Sequence, residues 1–381
     1  MANAQRAGDR PSMRGDVRPA LGWMARVARV LVVACVALTA ACGTHAPRSA
    51  GHSRATVDRA AAAQARAVTV VGMTVADIER STAFFTTVLD FEKVEDVVVS
   101  GPEYDRLWGL PGVRAHVVRL RLGGQELELA EYGPEKGRSY PADSRSNDRW
   151  FQHVAIVVAD MDAAYARVRP RVSPISIGGP QTLPVTNAAA AGISAFYFRD
   201  PDGHPLELIH FPPGKGDRRW QDAHGRLFLG IDHTAIGVRA TEASLAFYRD
   251  LLGLAVVGES LNVGTEQEHL TGVAGARVRI TGLHAPSGLP GIELLDYRAP
   301  TDGRDASFDA RTNDVVHWHP TIMVADVDAA ADVLRAAGYV PMSDVVTLPS
   351  GALGFRRAVV VRDPDGHALQ LVAERDPDRS Q

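Results

Sequence analysis

The stretch RDPDGHPLEL at residues 199–208 returns as RDPDGHALQL at residues 362–371. Working outward, FFTTVLDFEKV (84–94) returns as FYRDLLGLAVV (247–257), and GPEYDRLWGLPGVR (101–114) returns as GTEQEHLTGVAGAR (264–277). DSRSNDRWFQH (143–153) likewise returns as DARTNDVVHWH (309–319). Self-similarity at a steady interval marks a duplicated architecture. Two halves follow, 67–211 and 227–374, joined by the Pro-, Gly- and charge-rich stretch PPGKGDRRWQDAHGR at 212–226. Each half divides again, because VVGMTVAD (70–77), HVAIVVAD (153–160), HTAIGVRA (233–240) and HPTIMVAD (319–326) share one shape. Each is an apolar, β-branched strand ending where a helix starts. Asp77, Asp160 and Asp326 stand where an N-cap carboxylate accepts the first free N–H groups. In the third copy Ala240 takes that place, and Thr241 is expected to cap instead. Helical patterns follow, one of them ending at Gly338 as a C-terminal stop. The last strands read LELAEY, LELIHF, IELLDY and LQLVAE. The unit is βαβββ, present four times, and the fold class is α+β.

Strand alternation then points to chemistry. In Leu127-Glu128-Leu129 the leucines face one side and Glu128 the other; Glu207, Glu293 and Gln370 repeat that placement. If the leucines pack under helices, the polar residue enters a hollow. An ionised carboxylate there is costly without a cation or hydrogen bonds. His153, His233 and His319 each stand seven residues before their unit's capping position.

Four βαβββ copies with DPDG hairpins resemble the vicinal oxygen chelate superfamily, which includes glyoxalase I, extradiol dioxygenases, fosfomycin resistance enzymes and bleomycin-binding proteins. The resemblance covers nearly all of 67–374 and implies that two units pair into a cup around a divalent metal. Ligands are then expected from the first and last strands of each unit. Carried over, the first half offers Val70, Glu128, His153 and Glu207, and the second offers His233, Glu293, His319 and Gln370. Pairing within each half is expected. Pairing of unit two with unit three would instead collect His153, Glu207, His233 and Glu293. Val70 cannot coordinate, whereas Gln370 can do so through its carbonyl oxygen. His317, on the same strand face as His319, is the alternative imidazole.

The resemblance implies a site for Zn, Ni, Mn or Fe. It also implies a small oxygenated substrate and a lyase or isomerase reaction through an enediolate, with Glu293 or Glu207 as base. An extradiol dioxygenase needs a Glu where this chain has Gln370. A sequestering protein would instead line its cup with aromatics, for which Tyr104, Trp108, Trp150 and Trp318 are available. Arg145 and Arg311 are candidates for binding a substrate carboxylate, against a competing role in ordering loops by ion pairs with nearby Asp. His204 and His367, after the DPDG turns, are expected to be exposed.

The chain has 381 residues, 45% apolar and 23% charged, as in a folded globular protein. With 41 Lys and Arg against 45 Asp and Glu, and 6% aromatics, it offers neither a polycationic face nor a base-stacking platform, so nucleic acid is excluded as a partner. Arginines precede the apolar run Val30–Ala41. Twelve helical residues rise about 18 Å, short of a hydrocarbon core of about 30 Å. Residues 1–42 therefore read as an export signal, with Met24 as an alternative start. The ending LTAACG resembles a bacterial lipoprotein signal, implying lipidation of Cys42 and anchoring in the cell envelope. Both cysteines, Cys35 and Cys42, lie in this segment, so the folded part holds no disulfide. Residues 43–66 read as a tether and 375–381 as a tail, and the folded part is expected as a monomer with two internal domains or a homodimer.

Overall fold

All four units form, but they do not pair as their order suggests. The structure, a computed structural model, describes residues 59–373 apart from 60 and 308. Cys42 lies outside the described residues. Unit one comprises β1 (Ala65–Thr74), β2 (Glu92–Ser100), β3 (Arg114–Leu122) and β4 (Gln125–Gly133). Unit two comprises β5 (Gln152–Val158), the short β6 (Ser173–Pro174) and β7 (Gln181–Thr182), β8 (Ser194–Arg199) and β9 (Pro205–His210). Unit three comprises β10 (Phe228–Val238), β11 (Ala255–Asn262), β12 (Arg277–Ala285) and β13 (Gly288–Ala299). Unit four comprises β14 (Trp318–Val324), β15 (Val346–Thr347), β16 (Arg357–Arg362) and β17 (Ala368–Ala373).

One sheet runs β15-β16-β17-β14-β1-β4-β3-β2, joining unit four to unit one. The other runs β11-β12-β13-β10-β5-β9-β8-β6, joining unit three to unit two. The expected pairing within halves is therefore corrected: each sheet spans both halves, and 67–211 and 227–374 are repeats of sequence rather than separate cups. What holds a half together lies behind the sheets. Leu127, Leu129 and the helix residues Phe84 and Phe85 share a core with Val154, Phe196 and Leu208 of unit two. A matching core joins Ile236, Phe247 and Leu294 of unit three to Ile322, Leu334 and Leu371 of unit four. Burial behind the sheets thus joins unit to unit within a half, while ladder hydrogen bonds and the cores inside the cups join the halves.

The segments linking units within each half cross one another. A side chain on Gly137 would meet the Asn313 carbonyl at 2.0 Å, and one on Gly303 would meet the Asn147 carbonyl at 1.8 Å. Only glycine permits that approach. Around the crossing, Arg138 binds Asp314 at 2.6 Å and Arg304 binds Asp148 at 2.7 Å.

The caps form at Asp77, Asp160 and Asp326, which accept from the N–H groups of Arg80, Ala163 and Ala329. Thr241 does not cap. Ala240 is the cap residue, and the Asp296 carboxylate, near the end of β13, accepts from both the N–H and the hydroxyl of Thr241.

Candidate metal centre

The junction of β5 and β10 positions the site. These strands run antiparallel with His153 opposite Ala235 and His233 opposite Ala155. On the outer sides, Ala155 is level with Glu207 on β9, and Ala235 is level with Glu293 on β13. Residues level on adjacent strands face the same side. The two alanine methyl groups therefore floor a hollow ringed by two imidazoles and two carboxylates.

His153 Nε2 lies 3.0 Å from Glu207 Oε2, and His233 Nε2 lies 3.5 Å from the same oxygen and 3.3 Å from Glu293 Oε2. Donor atoms of His153, Glu207 and His233 all fall within 4.8 Å of one another. These three side chains are buried, whereas that of Glu293 is 28% exposed and faces the cavity. Neither ring nitrogen of His153 makes a hydrogen bond, because the 3.0 Å approach to Glu207 lacks the required alignment. A buried imidazole with no aligned hydrogen bond at either nitrogen is rare. Nitrogen and carboxylate donors converging on one point suit a divalent cation, so the residues fit such a group.

Asp232, not singled out from sequence, completes the setting. Strict alternation would turn it away from His233, but a register shift between Ile231 and His233 breaks the alternation. His233 Nδ1 donates to Asp232 Oδ2 at 3.0 Å, and Trp220 Nε1 donates to Asp232 Oδ1 at 2.6 Å. A carboxylate behind an imidazole fixes its tautomer and aims Nε2 at the hollow.

The two carboxylates are driven apart. Burial would raise the Glu207 carboxyl, but His153 and His233 outweigh it and hold it down to about 2. Burial raises the Glu293 carboxyl, aided by the charges of Asp232 and Glu207 against that of His233. Burial pushes His153 down despite Glu207, whereas His233 is carried well up by Glu293 and Asp232 against burial.

Glu128, His319 and Gln370 gather in the other cup and join neither His153 nor His233, so both ligand sets expected for the halves are re-partitioned. Val70 is level with Thr321, and Gly72 is level with both His319 and Glu128. The His319 ring lies over Gly72, where an added Cβ would stand 2.4 Å from Nε2. Gln370 donates to Thr321 Oγ1 at 3.2 Å, and Arg119 donates to Glu128 Oε2 at 3.0 Å. With Val70 offering nothing and a guanidinium on Glu128, this donor set does not fit a metal.

The remaining candidates fall elsewhere. Arg145 pairs with Asp302 at 2.8 Å and Arg311 with Glu135 at 2.7 Å; both belong to the crossing loops and neither lines the cup, which corrects the substrate-binding assignment. Tyr104 and Trp108 pack into the core filling the cup of units one and four. Trp150, Trp318 and His317 line a separate hollow of about 250 Å³.

His204 and His367 are buried rather than exposed. His204 donates to the Val315 carbonyl at 2.8 Å and sits 2.9 Å from Asp200, while His367 donates to the Gly237 carbonyl at 2.8 Å. Each ties a DPDG hairpin of one sheet to the backbone of the other.

Residues 67–208 and 230–371 both match the Glyoxalase/Bleomycin resistance protein/Dioxygenase superfamily. The chain belongs to that superfamily. Members of this superfamily generally bind a divalent cation. A 2-epi-5-epi-valiolone epimerase of an Actinomyces species is 38% identical over 155 residues, covering 39% of this chain and 81% of its own. Glyoxalase I of Zea mays shares the fold with a TM-score of 0.52 and 17% identity, over 81% of this chain and 92% of that one. A putative dioxygenase of Bacillus subtilis follows at TM-score 0.50 and 14% identity, over 82% and 86%.

Proposed function

We propose that the cup of units two and three is a divalent-metal centre for isomerase- or lyase-type chemistry on a small oxygenated substrate, proceeding through an enediolate. The observation that carries this reading is the convergence of His153, Glu207, His233 and Glu293 on one hollow, with neither nitrogen of His153 in an aligned hydrogen bond. A cation held by these residues supplies polarisation of a substrate carbonyl oxygen. Glu207, held ionised between two imidazoles, is a ligand. Glu293, the most exposed of the four and raised in pKa, takes the proton from the carbon beside the carbonyl onto its carboxylate. Returning it to the former carbonyl carbon, as the hydroxyl proton passes to the former carbonyl oxygen, gives an isomer; protonation of the opposite face by water, replenished from the protonated Glu293, gives an epimer. Asp232 keeps His233 in its ligating tautomer throughout. The epimerase relative supports isomerisation over ring cleavage.

The test is elemental analysis of chelator-free protein, with deuterium uptake from D2O into an α-hydroxy ketone. Near-stoichiometric metal and uptake abolished by Glu293→Gln are expected; metal-free protein defeats the reading in favour of a sequestering module.

We further propose export and anchoring through a lipidated Cys42, supported by the arginines and apolar run before it. No helix among the described residues is long and apolar enough to cross a membrane. Partition of the mature chain into a detergent phase, lost on Cys42→Ser, checks this; an aqueous mature chain refutes it.

A further inference from the structure

The cavity lined by Glu207, His233 and Glu293 has a volume of about 440 Å³, and its lining is mixed in character. Its apolar lining includes Leu183, Ile193, Leu270, Ile280 and Leu289. The acidic groups are Glu207, Glu293, Asp217, Asp232 and Glu259. Among the described residues, no Lys or Arg lines it. The nearby guanidinium groups of Arg219 and Arg279 lie outside the lining, each tied to a wall carboxylate, Asp217 at 3.2 Å and Glu259 at 2.8 Å. Even after a dication neutralises Glu207 and Glu293, Asp232 remains. Apart from the cation and the imidazole of His284, a phosphate or carboxylate entering here meets negative charge, which is the costly case for burying an anion.

The cavity does supply neutral polar groups. Gln267 is buried, lines the cavity, and its Oε1 has no hydrogen-bond partner. Asn262, also buried and lining, accepts at Oδ1 from Asn187 at 2.6 Å and from Ser260 at 2.9 Å. With its oxygen engaged, the amide NH2 of Asn262 is the end left to donate.

We infer that this cup takes an uncharged polyhydroxylated ketone or aldehyde, with Gln267 and Asn262 reading its hydroxyls as specificity-determining residues. The inference rests on the metal-centre reading for the location of the site, and it specifies the charge and polarity of what enters.

The test uses the full chain loaded with Zn²⁺ and two pairs of probes. 2-Keto-myo-inositol and dihydroxyacetone are the neutral ketones; dihydroxyacetone phosphate and S-lactoylglutathione are the anions. Calorimetry should show the neutral cyclic ketone binding at least about tenfold more tightly than either anion. Gln267→Leu should weaken it about tenfold, the loss expected when a hydroxyl is left without its partner. Gln267→Arg should shift preference toward the phosphate, and an unchanged Tm shows that both variants fold. Tighter binding of either anion, no binding of the neutral ketones, or indifference to Gln267→Leu overturns the inference. Deuterium uptake separates the two readings. Neutral binding without uptake sinks the reaction while the substrate class stands, and uptake confined to the phosphate does the reverse.

Discussion

The two cups share strand order and register, and they differ at two of the four inward-facing positions. Where one has His233, Glu293, His153 and Glu207, the other has Val70, Glu128, His319 and Gln370, so that His and Glu are kept at two places and lost at the other two. The floor changes too, from Ala155 and Ala235 to Gly72 and Thr321. Gly72 lets the His319 ring lie down on the sheet, and Thr321 holds Gln370. Beside Glu293 on the neighbouring strand stands Gly282, which leaves the hollow open; beside Glu128 stands Arg119, whose guanidinium fills it. Leu353 and Phe355 close over the top with Tyr104 and Trp108. The lesson is that a buried carboxylate needs a cation, and loss of a metal ligand is compatible with folding when the chain supplies that cation itself.

The largest effect that would break this contrast is on metal content. His153→Ala with His233→Ala should take the protein from about one ion per chain to below about a tenth, since two of the donors go. His319→Ala should leave it unchanged. Mass spectrometry of the metal decides, and equal loss from both variants would mean the cups are equivalent.

Arg119→Met comes next. It leaves Glu128 buried with only the imidazole of His319, 3.6 Å from Oε1, beside it, which costs up to about 3–5 kcal/mol. Denaturant unfolding should show the loss, with much of it regained in Arg119→Met plus Glu128→Gln. If the single variant is as stable as the wild type, Arg119 is not the cation of that cup.

A smaller effect sharpens the contrast at the junction of the sheets. His204 is wedged against Tyr140 and Trp318, with ring centroids at 5.7 and 5.3 Å. At the matching place beside His367 stand Ala306 and Gln152, and the 250 Å³ hollow opens there. His204→Ala removes packing as well as two polar contacts and should cost about 2–4 kcal/mol. His367→Ala should cost about half as much; equal losses would show that the hollow is irrelevant to stability.

Much of this was legible from residue pattern. The repeat revealed four units, LEL alternation placed Glu128, Glu207 and Glu293 on inner faces, and the Asp caps stand where periodicity put them. Pairing was not legible, because the linkers have similar lengths and strand hydropathy is blind to which edge a strand meets. The physical signal lay in Gly137 and Gly303, whose significance requires knowing that two backbones cross there. Asp232 escaped because a bulge defeats alternation. His204 and His367 escaped because a histidine after a tight turn has the same local sequence whether it faces water or a neighbouring sheet.

The crossing also gives the smallest predicted effect, one shared by both cups. Asp148 and Asp314 are almost fully buried, and burial alone would raise their carboxyls. Arg304 and Arg138, with backbone N–H groups, outweigh it, and both carboxyls sit below the ordinary value. A carboxyl lowered in the folded state binds its proton more weakly there than in the unfolded chain. Its contribution is therefore complete above the unfolded value of about 4 and drains away as pH falls through the folded one. Thermal unfolding between about pH 5 and about pH 3 should show Tm falling more steeply in the wild type than in Asp148→Asn/Asp314→Asn, by a few degrees. Because each aspartate pins a loop that enters a different cup, the single variants should each recover about half of that difference. A slope that responds to Asp148→Asn alone would mean the two sides of the crossing are not equivalent, and that the asymmetry of the cups extends to the clasp that joins them.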